Sequence, residues 1–172
     1  MTVHTTIDSP IGPLLLVGEE SAAPGGRTAL SWLTTAGQRN APAIRPDWSH
    51  RPAAFAEITR QLDAYFDGEL TAFDIPFADS GTGSDFRQRI WDALESVPYG
   101  TTTTYGEIAR RLGVSRAEVR ALGAAIGANP VLIVRPCHRV IGADGSLKGY
   151  AGGLERKRGL LTLEGVLQPM LG

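Results

Sequence analysis

A single cysteine, Cys137, stands in a chain of 172 residues. One thiol forms neither an internal disulfide nor a multi-cysteine zinc site, and it fits a reducing compartment, so the expectation is a cytoplasmic protein. A charge excess is missing too. With 17 basic and 18 acidic residues the net charge is -1, so no global positive field advertises nucleic acid, and any such site must be local. The longest aliphatic runs, Leu14 to Val17 and Val131 to Val134, are far too short to span a bilayer. Met1 to Pro10 has no basic region followed by an apolar core, so neither a secretory signal nor a membrane partner is expected. There is no visible repeat and no low-complexity segment. What remains is a chain long enough to bury a core, as one domain or as two small ones.

The first part reads as strands at Val3 to Ile7, Leu14 to Val17 and Ala29 to Leu33, with Asp8-Ser-Pro-Ile-Gly-Pro13 as the first turn. Gly37 to Pro52 carries three prolines and reads as a long surface connection. Phe55, Ile58, Leu62 and Phe66 then recur on one face of a helix that Gly68 stops. His4 and His50 are isolated in sequence and read as structural or surface residues. Asp79 to Ser84 looks like a boundary, with Ser84 capping a helix whose Phe86, Ile90, Trp91 and Leu94 face a core. The expected division is an α/β domain over 1–78, a linker over 79–84 and a mainly helical domain over 85–172.

Thr104 to Glu107 and Ser115 to Glu118 both have capping-box spacing, and Gly113-Val-Ser115 joins the helices they open. Two capped helices with a glycine-led turn form a helix-turn-helix. Val114 and Val119 stand at staple spacing, and Val119, Leu122 and Ile126 form the expected buried face of the second helix. The opposite face carries Ala117, Ala121, Ala124 and Ala128, with Arg120 on its flank. A solvated helix would carry lysine and glutamate there. Small residues suggest that something large approaches the backbone, such as a nucleic-acid groove, although alanine is also simply a good helix former, and Arg120 also suits a salt bridge. Asn129-Pro130 ends the helix, with asparagine suited to a left-handed cap.

The chain then reaches Arg135-Pro-Cys-His-Arg139. A lone cysteine is commonly just a small buried hydrophobe. Here Pro136 fixes the backbone before the sulfur, and Arg135, His138 and Arg139 supply positive charge that would stabilise a thiolate, so Cys137 is a candidate nucleophile. Gly142 to Gly145 makes a tight turn and Gly149-Tyr-Ala-Gly-Gly153 a flexible loop, wing-like in position. Leu154 to Glu164 is a final helix closed by Gly165. A carboxylate in its last turn opposes the helix dipole, so Glu164 is either solvent-exposed or held by a cationic or imidazole partner.

Pro136-Cys-His-Arg-Val140 resembles the active-site signature of the O6-alkylguanine-DNA alkyltransferases, which repair DNA by direct reversal. The resemblance extends through Tyr105, Arg120, Asn129-Pro130, Gly149 to Gly153 and Leu160-Leu-Thr-Leu-Glu-Gly165, in order and spacing, and in the N-terminal half through Ile7 to Leu14. It implies a ribonuclease H-like N-terminal domain with a short antiparallel sheet, and a C-terminal winged helix-turn-helix-like domain. The implied partner is double-stranded DNA carrying alkylated guanine, bound through the minor groove by a protein that is monomeric in solution and cooperative on DNA. The implied activity is a single transfer of the alkyl group from O6-alkylguanine, and from O4-alkylthymine, to Cys137. In that scheme His138 takes the thiol proton through a water, Glu164 orients His138, and Tyr105 donates to the departing guanine. Tyr150 and the Ala151 backbone close over the base, the Val140 carbonyl meets its amino group, and Asn129 braces the turn. Arg120 fills the gap left by the flipped nucleotide, while Ala117, Ala121, Gly123 and Ala124 line the DNA-facing surface.

Some positions depart from the family. Arg135 stands where an aliphatic residue is common, and would lower the thiol pKa, reach a phosphate or disturb packing. Ala151 replaces a serine of some members, and the zinc-binding cysteines of some relatives are absent, so the resemblance implies no metal and no cofactor. Cys137 argues against the alkyltransferase-like branch, which has tryptophan there. Two alternatives from other classes are a helix-turn-helix transcriptional regulator with a redox-sensing cysteine and a lesion-binding protein that transfers nothing.

Overall fold

The computed structural model describes residues 1–168. Strands β1 (Thr2–Ile7), β2 (Leu14–Glu19) and β3 (Ala29–Thr35) form an antiparallel meander. Alternation sets its register: Val3 and Thr5 of β1 and Leu14 and Leu16 of β2 point inward and are buried. The expected surface connection conceals a fourth strand. Ser49–His50 (β4) pairs in parallel with β1 and gives the order β3-β2-β1-β4. Two paired residues carry no periodic signal, so tertiary pairing alone creates this strand. It also brings His50 against His4, with ring centroids 5.4 Å apart, so the two histidines are not isolated from each other.

A single 3-10 turn (Pro52–Phe55) leads into α1 (Ala56–Phe66). Its buried face is Ile58, Gln61, Leu62 and Tyr65, not the expected Phe66, which is only half-buried. Tyr65 lies three residues after Leu62 and seven after Ile58, so it shares their stripe.

Ser84 caps α2 (Asp85–Glu95) by accepting from the Arg87 N–H at 3.1 Å. The Trp91 indole N–H donates to the Ala125 carbonyl at 2.8 Å, which ties α2 to the helix that follows the turn. After the two-residue β5 (Thr103–Thr104), α3 (Tyr105–Leu112) begins at the Thr104 cap and ends at Gly113, whose φ of 67° needs a glycine. Only half of the first expected capping box is made: Thr104 accepts from the Glu107 N–H, but the Glu107 carboxylate turns to Arg110. At the second box Glu118 accepts from both the Ser115 N–H and hydroxyl.

The second helix departs from expectation in its first turn. Arg116–Glu118 is a 3-10 turn, and α4 proper spans Val119–Gly127. Three residues per turn rotate the entry, so Val119 is 39% exposed and Ala125 joins Leu122 and Ile126 on the buried face. Asn129 is not a left-handed cap either, since the only non-glycine residues with positive φ among the described residues are Ile133 and Lys148.

Beyond α4 the chain returns to the N-terminal sheet. The Leu33 N–H donates to the Pro130 carbonyl at 2.9 Å, and the Leu132 N–H to the Leu33 carbonyl at 3.0 Å. One edge of β3 thus serves as a rail for the segment that carries the cysteine. A 3-10 turn (Cys137–Arg139), β6 (Val140–Ile141), paired in parallel with β5, and α5 (Leu154–Leu163) complete the fold. No helix among the described residues is long and apolar enough to cross a membrane.

Candidate active site and nucleic-acid face

The turn that presents Cys137 is braced from behind by Asn129. Its amide donates to the carbonyls of Val131 (3.2 Å) and Arg135 (2.8 Å), and its oxygen accepts from the Val131 N–H (3.0 Å). These three bonds hold both ends of the intervening segment. Inside it Ile133 is fully buried with φ 71°, a costly conformation for a β-branched residue that persists because the flanking contacts over-determine it.

Cys137 is 5% exposed. Burial pushes its thiol up to about 11, against the opposing pull of Asn129, Lys157 and Arg135. The expected thiolate-stabilising cluster is therefore not what the resting site contains. Arg139 is committed elsewhere, and Arg135 stacks between Phe77 (4.4 Å) and Trp91 (5.1 Å), 4% exposed. So buried a guanidinium does not reach a phosphate. It ties Phe77, which bridges to Leu30 of β3, to Trp91 of α2 through desolvated cation–π contacts.

Glu164 caps α5 from inside the protein rather than from solvent. One carboxylate oxygen accepts from His138 Nε2 (2.6 Å), the Tyr65 hydroxyl (2.6 Å) and Arg139 Nη2 (3.1 Å); the other accepts from Arg139 Nε (2.8 Å) and the Gly100 N–H (3.4 Å). Burial alone would raise the Glu164 carboxyl, but the donors from His138, Arg139 and Tyr65 outweigh it and hold it at about 2. Arg139 also donates to the Val97 carbonyl at 2.7 Å. The His138 imidazole is fully buried, and desolvation lowers its pKa in spite of Glu164. A neutral imidazole with Nε2 held by a carboxylate leaves Nδ1 for other use. Among the described residues His138 Nδ1 and the Tyr150 hydroxyl have no hydrogen-bond partner, and both are buried.

Two members of this site escape sequence reasoning. Tyr65 comes from the other half of the chain, and no local pattern links it to Glu164. Lys157 is fully buried, and its ammonium donates to the carbonyls of Val140 (2.6 Å), Gly149 (3.0 Å) and Leu147. Burial pushes it down to about 8, while three carbonyls each take one of its three N–H groups. Its position three and four residues before Leu160 and Leu161, on the buried stripe of α5, is the signal that would have found it. Lys157 thus ties the 147–149 segment to the Val140 carbonyl, the acceptor expected to meet a base.

The remaining site residues fall into two groups. Tyr105 is half-buried at the start of α3, where burial and then Cys137 raise its phenol pKa; Tyr150 is raised likewise. Ala151 follows in the same loop, and a Cβ on Gly152 would meet the Tyr150 ring at 2.8 Å, so glycine lets the loop fold tightly over the ring. Ala117, Arg120, Ala121 and Ala124 form the second group. They are exposed on the first turn and α4, with Gly123 half-buried among them. Arg120 forms no ion pair among the described residues, so the salt-bridge role it also suited is not in use.

Comparisons with known proteins agree across both halves. Residues 2–78 match the ribonuclease-like domain of 6-O-methylguanine DNA methyltransferase, and residues 85–166 match its DNA binding domain. A methylated-DNA--protein-cysteine methyltransferase of Mycobacterium tuberculosis is 50% identical over 164 residues, covering 95% of this chain and 93% of that protein. One from Methanosarcina acetivorans is 44% identical, covering 94% and 97%. The crystal structure of Mycobacterium tuberculosis OGT in complex with DNA superposes with a TM-score of 0.82 at 48% identity, covering 94% of this chain and 92% of that one.

Proposed function

Because the chain belongs to the 6-O-methylguanine DNA methyltransferase family, it is a methylated-DNA--protein-cysteine methyltransferase that repairs DNA by direct reversal, and we propose that Cys137 is its alkyl acceptor. A duplex hides guanine O6, so the alkylated nucleotide is extruded into the site at a cost of a few kcal/mol, and Arg120 occupies the gap it leaves. Tyr150 and the Ala151 backbone cover the base, whose amino group meets the Val140 carbonyl. The Cys137 sulfur attacks the alkyl carbon in line; the S–C bond forms as the O6–C bond breaks. The thiol proton passes through a water to His138 Nδ1, and Tyr105 donates to the guanine so that it leaves as a neutral base. The thioether is not hydrolysed, so each molecule acts once.

The observation that carries this assignment is the pairing of His138 Nε2 with Glu164 at 2.6 Å while Nδ1 has no partner among the described residues. That arrangement fixes the tautomer so that Nδ1 is an acceptor. A thiol pushed up to about 11 suits a protein that keeps its only nucleophile protonated until substrate brings a path for the proton. The exposed alanine face of α4 suits a narrow minor groove, which bulky side chains would block.

Further parts of the proposal are O4-alkylthymine as a second substrate, a monomer in solution that is cooperative on DNA, and a cytoplasmic location. We also divide the chain into 1–78 and 85–172 about a linker at 79–84. Residues 169–172 of the second part lie outside the described residues. The test is intact mass after mixing with a duplex oligonucleotide containing O6-methylguanine. A gain of one methyl on Cys137, lost in Cys137→Ser with DNA binding retained, is expected. An unchanged mass, under conditions where a known alkyltransferase reacts, would instead favour a regulator or a lesion-binding protein.

A further inference from the structure

We propose that Tyr65, from the N-terminal half, is a positioning residue for the transfer: its hydroxyl clamps the Glu164 oxygen that holds His138 and so sets how strongly that imidazole keeps a proton. The inference rests on the alkyl-transfer function proposed above.

The geometry is specific to one oxygen. Tyr65 Oη and His138 Nε2 both lie 2.6 Å from Glu164 Oε2. Tyr65 is fully buried on the core stripe of α1, and its ring is wedged against Phe66 (5.3 Å), Phe73 (5.3 Å) and Tyr99 (6.1 Å). The phenol therefore does not swing away, and it brings a hydroxyl across the seam between the two halves. With burial and the Glu164 carboxylate both raising its pKa, it stays protonated and remains a donor. Arg139 Nη2 shares the oxygen at 3.1 Å, but its guanidinium is also committed to the second oxygen and to Val97.

The direction of the effect follows from charge. An O–H donor on Oε2 draws negative charge from the atom that faces the imidazole, and so weakens its hold on the imidazolium. The other charged or titratable groups acting on His138 are Arg139 and Lys157, both of which oppose its protonation. Cys137, Tyr105 and Tyr150 also border the site and are neutral in the resting state. Without the Tyr65 hydroxyl, His138 keeps its proton to higher pH. A protonated His138 does not take the thiol proton, so the acid limb of the transfer rate moves up with it.

Tyr65→Phe keeps the ring, and Oε2 retains His138 and Arg139 as donors, so the fold is preserved. On the acid limb of the pH profile the single-turnover rate of methyl transfer is expected to fall about tenfold, the scale of a hydrogen bond to a charged group, with DNA affinity unchanged. The acid limb of its pH profile shifts to higher pH, and so does the His138 imidazole titration followed by nitrogen NMR without DNA. In a Glu164→Gln background the same change adds little, because its effect runs through that carboxylate. An unchanged rate and profile would overturn the proposal. So would a fall that is uniform in pH with the imidazole titration unmoved, or full multiplicativity with Glu164→Gln. Failure of the unmutated protein to gain a methyl would strike the function itself, whereas the imidazole titration reports on Tyr65 independently of transfer.

Discussion

Around Cys137 the protein buries charge, whereas on the outer face of α4 it exposes almost nothing but small apolar side chains. Glu164, Arg139, His138 and Lys157 are all 6% exposed or less, and each finds partners inside. Ala117, Ala121 and Ala124 are exposed, yet they offer no charge and no bulk. The contrast follows from what each region must meet. Proton transfer needs a pre-organised set of groups shielded from bulk solvent, because electrostatic contacts weaken in bulk water. Close approach to a large ligand needs a surface without bulk, and Arg120 stands at its edge. Regions with these designs should respond to mutation in opposite ways, the first through stability and the second through binding.

The largest effect is expected at the buried network. Glu164→Ala leaves Arg139 and His138 without their carboxylate and should cost about 3–5 kcal/mol, measured by denaturant unfolding. Loss of less than about 1 kcal/mol would break the contrast. The wild-type pH dependence should agree in sign. A carboxyl held at about 2, below its ordinary value of 4.5, contributes stability that is fully present above about pH 4.5 and lost as the pH falls toward 2.

A smaller and different effect is expected on the outer face of α4. Ala124→Leu adds bulk to an exposed position, so the unfolding free energy should move by no more than about 0.5 kcal/mol. Duplex affinity should fall about tenfold by titration against a labelled oligonucleotide. Binding that survives would detach the alanine face from the nucleic acid. The smallest effect is expected from Arg120→Ala. It leaves stability unchanged and slows repair in duplex several-fold more than reaction with a free base analogue, since only the duplex presents a gap to fill. Equal slowing of both would remove the finger role.

Much of the helical half was legible because its signals are local. The Ser84 and Thr104 caps, the αL glycine at 113 and the stripe through Leu122 and Ile126 each depend on a few neighbouring residues. Errors arose where a local rule met a tertiary constraint. Val119 fits an α-helical stripe, but a 3-10 first turn rotates it outward. Asn129 fits a left-handed cap, but its amide is needed for the carbonyls of Val131 and Arg135.

The sequence by itself determined the reaction class: one cysteine after a proline, followed by histidine and arginine, with the Tyr150 loop and Glu164 at fixed distances, identified a family and its chemistry. Only the tertiary structure decided how those groups are held. It stacked Arg135 on Phe77 and Trp91, kept the thiol protonated by burial, and set Lys157 and Tyr65 behind the site. Desolvation and long-range hydrogen bonds depend on what packs around a residue, and Tyr65 lies 99 residues from Glu164 along the chain.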